Sequence, residues 1–453
     1  MGRRLEACRI VPAVVLILGV PGAVGAAGPE TVVEDVVATC RPPGNGAGPL
    51  WCYGAPLVVR QGDQVFVSAM ETGEGVPPLC NTRWRLFRRD PAGWREMRHD
   101  DDFRQREPCP LIAPGPGKIL LSVNPSTEPR GTKYGRCDPQ FLVFDAGHPD
   151  QTPTVIHPAW DGKPRFTDHS YRGLAADAAR GDVLALNIDA VTSLQHWSFR
   201  AADGASGRSG SIGFPIRACY PQVALRDRAA HVMAIGDIVE PNEAWRTHKK
   251  QRTGADWDYV FRRLFYTWSP DIAQADLTTP VEIDSVDPTG GHIANLDLWI
   301  DGRGVAHLLY LKTNIASVLR DRYFPGKPIA QTLEHVEVER GRVVHRSTLL
   351  AGGEGKTVNP LFGRFHATMD GSLLVVAAVS GTTQNGTSFL ENRLIPVENR
   401  PTSAAVVRLK LREPFTTFFT AAERGGNHPS DDLDLFGTGH DSTTLRYAHI
   451  RLK

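Results

Sequence analysis

One unit recurs along the chain. "APLVVRQGDQVFVSAMETG" begins at Ala55, "PLIAPGPGKILLSVNPS" at Pro110 and "YRGLAADAARGDVLALNID" at Tyr171. "YPQVALRDRAAHVMAIGD" begins at Tyr220, "IANLDLWIDGRGVAHLLYL" at Ile293 and "FHATMDGSLLVVAAVSG" at Phe365. Each reads as a short strand, a tight turn of Gly, Asp or Arg, and a second apolar strand. The turn anchors Gly62, Gly117, Gly181, Asp227, Gly302 and Gly371 are 55, 64, 46, 75 and 69 residues apart. A lone hairpin cannot bury its apolar faces, so a chain of them must stack or close into a ring.

The runs between these cores, such as "WRLFRRDPAGWREM" and "LEHVEVERGRVVHRSTLLAG", alternate apolar and polar residues as half-buried strands do. No long helical stripe appears, and only Pro241 to Trp257 reads as a short helix. Six units of about four strands each predict an all-β fold, a β-propeller of six or seven blades. Two packed β-sandwiches are the alternative. The closing pieces "DLDLFGTG" and "TTLRYAHIRLK" follow the sixth core. A ring has to be closed, because an open first blade leaves unpaired edges. "LRYAHIRL" is therefore expected either to pair near the N-terminus or to help form a seventh blade.

The N-terminus reads as an export signal: Arg3 and Arg4, an apolar run from Val11 to Val20, then small residues with cleavage near Ala26 or Ala27. The expected organisation is a signal peptide over 1–27 and a single propeller domain over 28–453. The expected place is secreted or periplasmic. Six cysteines would remain after cleavage: Cys40, Cys52, Cys80, Cys109, Cys137 and Cys219. An even number in an exported chain predicts disulfides, whose connectivity the sequence does not rank. With no C-x-x-C pair, zinc is a poor reading. Asn385-Gly386-Thr387 is a glycosylation sequon in a source that glycosylates.

Lys and Arg total 51 against 50 Asp and Glu, which gives no basic surplus for nucleic acid. No G-x-S-x-G, phosphate-cradling Gly loop or H-E-x-x-H occurs, so no small-molecule cofactor is expected. "HDDDF" at His99 and "SDDLD" at Ser430 leave room for a structural calcium, although without the spacing of a known loop they read as exposed acids.

In a propeller the first strand of each blade lines the axis, and residues at its start form a rim. The rim positions expected here are Cys52-Tyr53, Cys109, His169-Tyr171-Arg172, Arg217-Tyr220, His292-Asn295 and Arg364-His366. Four consecutive entries present His, Tyr or Arg, which at a concave mouth bind anions or move protons. Taken singly, each such residue also fits a strand cap bonded to backbone. The long insertion between strands adds Asp237, Glu240, Trp245, Arg246, Lys249, Trp257, Asp258 and Arg263. Trp245 and Trp257 there could stack on sugar faces, or the segment could be a solvated hairpin.

The repeated "DGRGVAHLLY" and "DGSLLVVA" units and the closing "LRYAHIRL" resemble secreted sialidase-like (BNR-type) propellers. They are also similar to the propeller polysaccharide lyases that cleave uronate polymers. The Ser-x-Asp-x-Gly-x-x-Trp box of sialidases is missing, and "FPIRACYP" only echoes their Arg-Ile-Pro element. The lyase resemblance implies a His or Tyr base beside a charge-neutralising Arg. β-Elimination needs the uronate carboxylate neutralised so that the C5 proton can leave, a base to take it, and an acid for the leaving oxygen. The expected roles are His169 or His292 as base, Tyr171 or Tyr220 as acid, and Arg217 or Arg364 as carboxylate clamp. Arg172, Asn295, His366, Trp245, Arg246 and Trp257 are expected to bind substrate. A glycoside hydrolase would instead need paired carboxylates, for which Asp168, Asp237, Glu240 and Asp297 are available. A non-catalytic propeller that binds glycan or protein is the reading from another class. The expected partner is an acidic polysaccharide or other glycan, met by a monomer with no membrane span.

Overall fold

The computed structural model describes residues 28–41, 49–50, 56–73, 81–167, 171–204, 207–255, 258–397 and 406–452. They form seven four-stranded antiparallel sheets arranged as the blades of a propeller. The first blade comprises Val58–Gln61, Gln64–Thr72, Thr82–Asp90 and Gly93–His99. The second comprises Leu111–Gly115, Lys118–Val123, Gln140–Asp145 and Thr154–Ile156, and the third Gly173–Asp177, Asp182–Ile188, Gln195–Arg200 and Gly207–Ile212. The fourth is built from Ala218–Arg226, Ala229–Gly236, Arg263–Ser269 and Val281–Ser285, and the fifth from Gly290–Ile300, Ala306–Ile315, Ala330–Glu339 and Arg342–Gly353. The sixth is built from Val358–Ala367, Leu373–Thr382, Ser388–Pro396 and Val407–Arg408.

All six turn anchors fall in the inner hairpins of these blades. Gly62, Gly117, Gly181 and Gly371 have φ of 58, 70, 75 and 84°, which a side chain resists. Inner strands are covered by neighbouring blades on both faces. They therefore read as continuous apolar runs: Val375 to Val379 are all fully buried. The third strand of the first blade, Thr82–Asp90, alternates instead over its first half, with one face more open to solvent.

The seventh blade resolves the choice of blade number. Its inner strands are Thr417–Thr420, Asp432–Thr438 and Thr444–Arg451, and its outermost strand is Glu30–Thr39. The two ends of the described chain pair from Glu30 with Arg451 to Thr39 with Thr444, which closes the ring. The loop between its first two strands crosses to the axis. The carbonyls of Arg424 and Gly425 accept from Ala176 and Ala113 at 2.9 and 2.8 Å, and Asn427 Oδ1 accepts from the Arg60 amide at 2.8 Å. Gly426 passes so close to the Ala113 carbonyl that a Cβ there would overlap it. Arg424 completes the span with a buried ion pair to Asp297 at 2.9 Å.

Among the described residues two α-helices interrupt the strands. α1 (Glu243–Thr253) lies in the expected stretch, starts on an Asn242 side-chain cap and ends at Gly254 in the left-handed region. α2 (Ser317–Tyr323), which the sequence reading passed over, follows the second strand of the fifth blade.

Two expectations change. Cys40, Cys109, Cys137 and Cys219 are free thiols with no disulfide among them; Cys52 and Cys80 lie outside the described residues. The "SDDLD" acids are not simply exposed: Asp434 is buried, bonded to Arg60 at 2.6 and 2.7 Å and to the Tyr447 hydroxyl. Among the described residues no helix is long and apolar enough to cross a membrane. The export signal lies outside the described residues.

Candidate active site at the entry rim

Strand direction divides each blade into two ends. Inner strands begin at one end, here called the entry rim, and turn back at the exit rim. Tyr171, Arg217 and His292 each stand ten residues before their turn anchors, Gly181, Asp227 and Gly302. That equal spacing sets all three on the entry rim, on adjacent third, fourth and fifth blades.

Their side chains form a continuous set. The Arg217 guanidinium lies 5.2 Å from the Tyr171 ring centre and 5.9 Å from that of Tyr259. The Tyr171 ring meets Tyr220 edge to face at 4.7 Å. Tyr220 then meets Phe261 at 6.0 Å, and Phe261 meets His292 at 5.9 Å. Tyr220 is placed by a bulge. The pairing of the first two strands of the fourth blade shifts between Cys219 and Gln222, and Tyr220 has φ of 48°. A non-glycine residue held in that region at a bulge is a costly device that redirects its side chain. Asn295 supports it from the fifth blade, donating from Nδ2 to the Tyr220 carbonyl at 2.7 Å. Asn295 is therefore a buried brace for Tyr220 rather than a substrate contact.

Beneath the tyrosines sits Asp237, fully buried at the end of the second strand of the fourth blade. It pairs with Arg217 and is also engaged by the Cys219 thiol and the Tyr171 hydroxyl. Burial pushes its carboxyl up against the pull of Arg217. Burial likewise pushes the Cys219 thiol well above its usual range, so it stays protonated and is a poor nucleophile. The Tyr171 phenol is raised by burial too and remains a proton donor. His292 behaves oppositely. The packing of the rim and the nearby Arg262 charge hold it below the usual histidine range, hence neutral, while its ring still reaches solvent.

A second charge group flanks the rim. Glu240 accepts from Arg262 at 2.9 Å and pairs with Lys249 at 2.8 Å, and Lys249 also reaches Asp258 at 3.0 Å. Arg262 stacks over Trp245 at 5.3 Å. Trp245 packs against Tyr323 and Phe324 at 6.1 and 5.8 Å, so it fastens α1 to the α2 region and is no free stacking platform. Arg246 is exposed on α1. His169, Asp168 and Trp257 lie outside the described residues.

Three expected site residues are spent elsewhere. Arg172 is buried and donates to the carbonyls of Ser122 and Pro108 at 2.6 and 2.9 Å, stitching the third blade to the second. Arg364 stands seven residues before Gly371, as Tyr220 does before Asp227, and His366 five; it is burial and backbone bonding that set both apart from the rim. Arg364 is buried, donates to the Leu296 and Phe418 carbonyls, and stacks on Phe419 at 4.6 Å. The His366 Nε2 is bonded to the Ser430 carbonyl at 2.7 Å, and burial holds the ring below its usual range. Neither is available as a clamp or base at the entry rim.

Tyr259, Phe261 and Arg262 were not singled out from sequence. Their signal was the return of the insertion to the sheet at "YVFRR", which brings aromatic residues back to the rim that the insertion left. The carboxylates a hydrolase would pair are engaged: Asp237 and Glu240 in the ion pairs above, and Asp297 with Arg424 and the Phe365 amide.

No family model matches the chain, and no curated protein does. Among solved structures it is similar to the polysaccharide lyase Uly1, with 11% identity over 88% of this chain and 90% of that one, at a TM-score of 0.49. It is similar to a Penicillium chrysogenum alpha-L-arabinanase complexed with arabinobiose, with 10% identity over 93% and 98%, at 0.44. A Trypanosoma rangeli sialidase in complex with sialic acid shares 12% identity over 83% of this chain but only 59% of its own, at 0.40.

Proposed function

We propose that this protein is a carbohydrate-active propeller whose entry rim cleaves a uronate-containing polysaccharide by β-elimination. The observation that carries the reading is the contiguous set of Arg217, Tyr171, Tyr220 and His292 across three blades. Arg217 remains a cation and is partly open to solvent, which suits it to neutralise the uronate carboxylate. His292, neutral at the rim, takes the C5 proton. The C4–C5 double bond forms as the C4–O bond breaks, and the leaving oxygen takes a proton from Tyr171 or Tyr220. Burial keeps Tyr171 protonated, so it holds the proton that the leaving oxygen needs. A polymer of this kind is met outside the cell, in keeping with the proposed export signal. N-terminal sequencing of the mature protein would check cleavage near Ala26 or Ala27.

The test is to mix the purified mature protein with a panel of acidic polysaccharides and follow the absorbance of the unsaturated uronate end. A rise that Arg217→Lys and His292→Ala suppress supports elimination. Reducing ends without that absorbance would replace it with hydrolysis. Glycan binding without cleavage would replace it with a binding propeller.

A further inference from the structure

The fifth blade carries a second cluster of reactive groups, near the turn end of its second and third strands rather than at the entry rim. His335 and Glu337 are two apart on its third strand and so share one face. The register sets His307 of the second strand directly opposite Glu337. A ligand atom from each of the three lies within 4.8 Å of the others. The two imidazoles are buried and stacked, with ring centres 5.2 Å apart and 21° between planes. His307 Nδ1 meets His335 Nε2 at 3.0 Å, and His335 Nδ1 faces the Ser347 hydroxyl at 3.4 Å.

His307 is only 7% exposed. Its Nε2 faces Asp301 at 3.8 Å, which leaves Nδ1 as the nitrogen turned toward His335. Trp299 and Phe365 wall the pair on their apolar sides at 5.0 and 6.1 Å.

We propose that His307, His335 and Glu337 bind one divalent transition-metal ion, zinc by the chemistry of the donor set. Two borderline imidazole donors beside one carboxylate favour zinc over calcium or magnesium, which take oxygen ligands. Nitrogens bound to one tetrahedral zinc at about 2.0–2.1 Å stand roughly 3.3 Å apart, close to the separation already present between His307 and His335. The Ser347 hydroxyl on the far nitrogen of His335 would fix its tautomer, as partners of metal-bound histidines do. The ion would tie the second and third strands of the blade together, away from the proposed chemistry.

The experiment uses the untagged full chain, stripped with a chelator and dialysed, then titrated with zinc alone and, in parallel, with cobalt(II). The expected result is one equivalent bound per chain, a cobalt d–d absorption band and a raised melting temperature. Glu337→Gln, half-buried and nearly isosteric, is expected to weaken binding at least about tenfold with the stripped protein still folded. His307→Gln is expected to abolish the cobalt band. A folded, stripped chain that takes up no metal overturns the proposal. So does uptake that neither substitution changes.

Discussion

The Arg217 guanidinium lies over the ring of Tyr171 while paired with the buried carboxylate of Asp237. Its orientation is thereby fixed before any ligand arrives. Lysine would keep the charge opposite Asp237 but lose the planar fork. Arg217→Lys is expected to lower kcat/KM on a uronate polymer by about 10²-fold or more, with little change in melting temperature. Equal turnover by the variant and the parent protein would remove Arg217 from the chemistry.

His292 is exposed at the rim, and its ring meets that of Phe261 in a T-shaped contact at 5.9 Å. His292→Ala should leave stability within about 0.5 kcal/mol and lower kcat by roughly 10²–10⁴-fold. A general base must be neutral to act. Since the folded protein holds this ring below the ordinary value of 6.5, the acid limb of the kcat/KM profile should lie below pH 6.5. A limb above that value would assign the base elsewhere.

Asp297 accepts from the Phe365 amide at 2.9 Å and pairs with Arg424 at the axis, both residues being almost wholly buried. Asp297→Ala leaves Arg424 without its charge partner and should cost about 3–5 kcal/mol in urea unfolding. The double variant Asp297→Ala/Arg424→Ala should cost clearly less than the two single changes added together. Simple additivity would mean the pair is not coupled.

His231 is buried against the Tyr266 hydroxyl and the Trp268 ring, and burial lowers it from 6.5 to about 4. Between those values the unfolded chain binds a proton that the folded one refuses. Stability is therefore complete above pH 6.5 and is lost as pH falls toward 4, by about 3 kcal/mol for this one group. Denaturant titrations at several pH values should show the slope, and His231→Gln should remove this share of it. An unchanged slope would place the acid sensitivity in other groups.

The inner hairpins were legible because a turn and the apolar run beside it are local. Blade position along the ring was legible as well, from the order of those hairpins. Burial at the axis was the weaker point. Arg364 and His366 looked equivalent to Tyr171 and His292 by residue type, but Arg364 is spent on the Leu296 and Phe418 carbonyls and His366 on that of Ser430. The acidic partner Asp237 and the aromatic return at Phe261 depend on how an insertion folds back, which no local pattern states. His307 and His335 meet only through the register of two long strands, 28 residues apart in sequence.

The last blade takes its outer strand from Glu30–Thr39 and its inner strands from Thr417–Arg451. A chain emerging from the ribosome thus holds Glu30–Thr39 without this partner until Thr444–Arg451 is free. Joining ends so distant costs roughly 5 kcal/mol in loop entropy for a few hundred residues, and contacts of that range slow folding. Ring closure is therefore a late kinetic event, and a chain truncated near its C-terminus is left with an exposed edge inviting pairing with other chains.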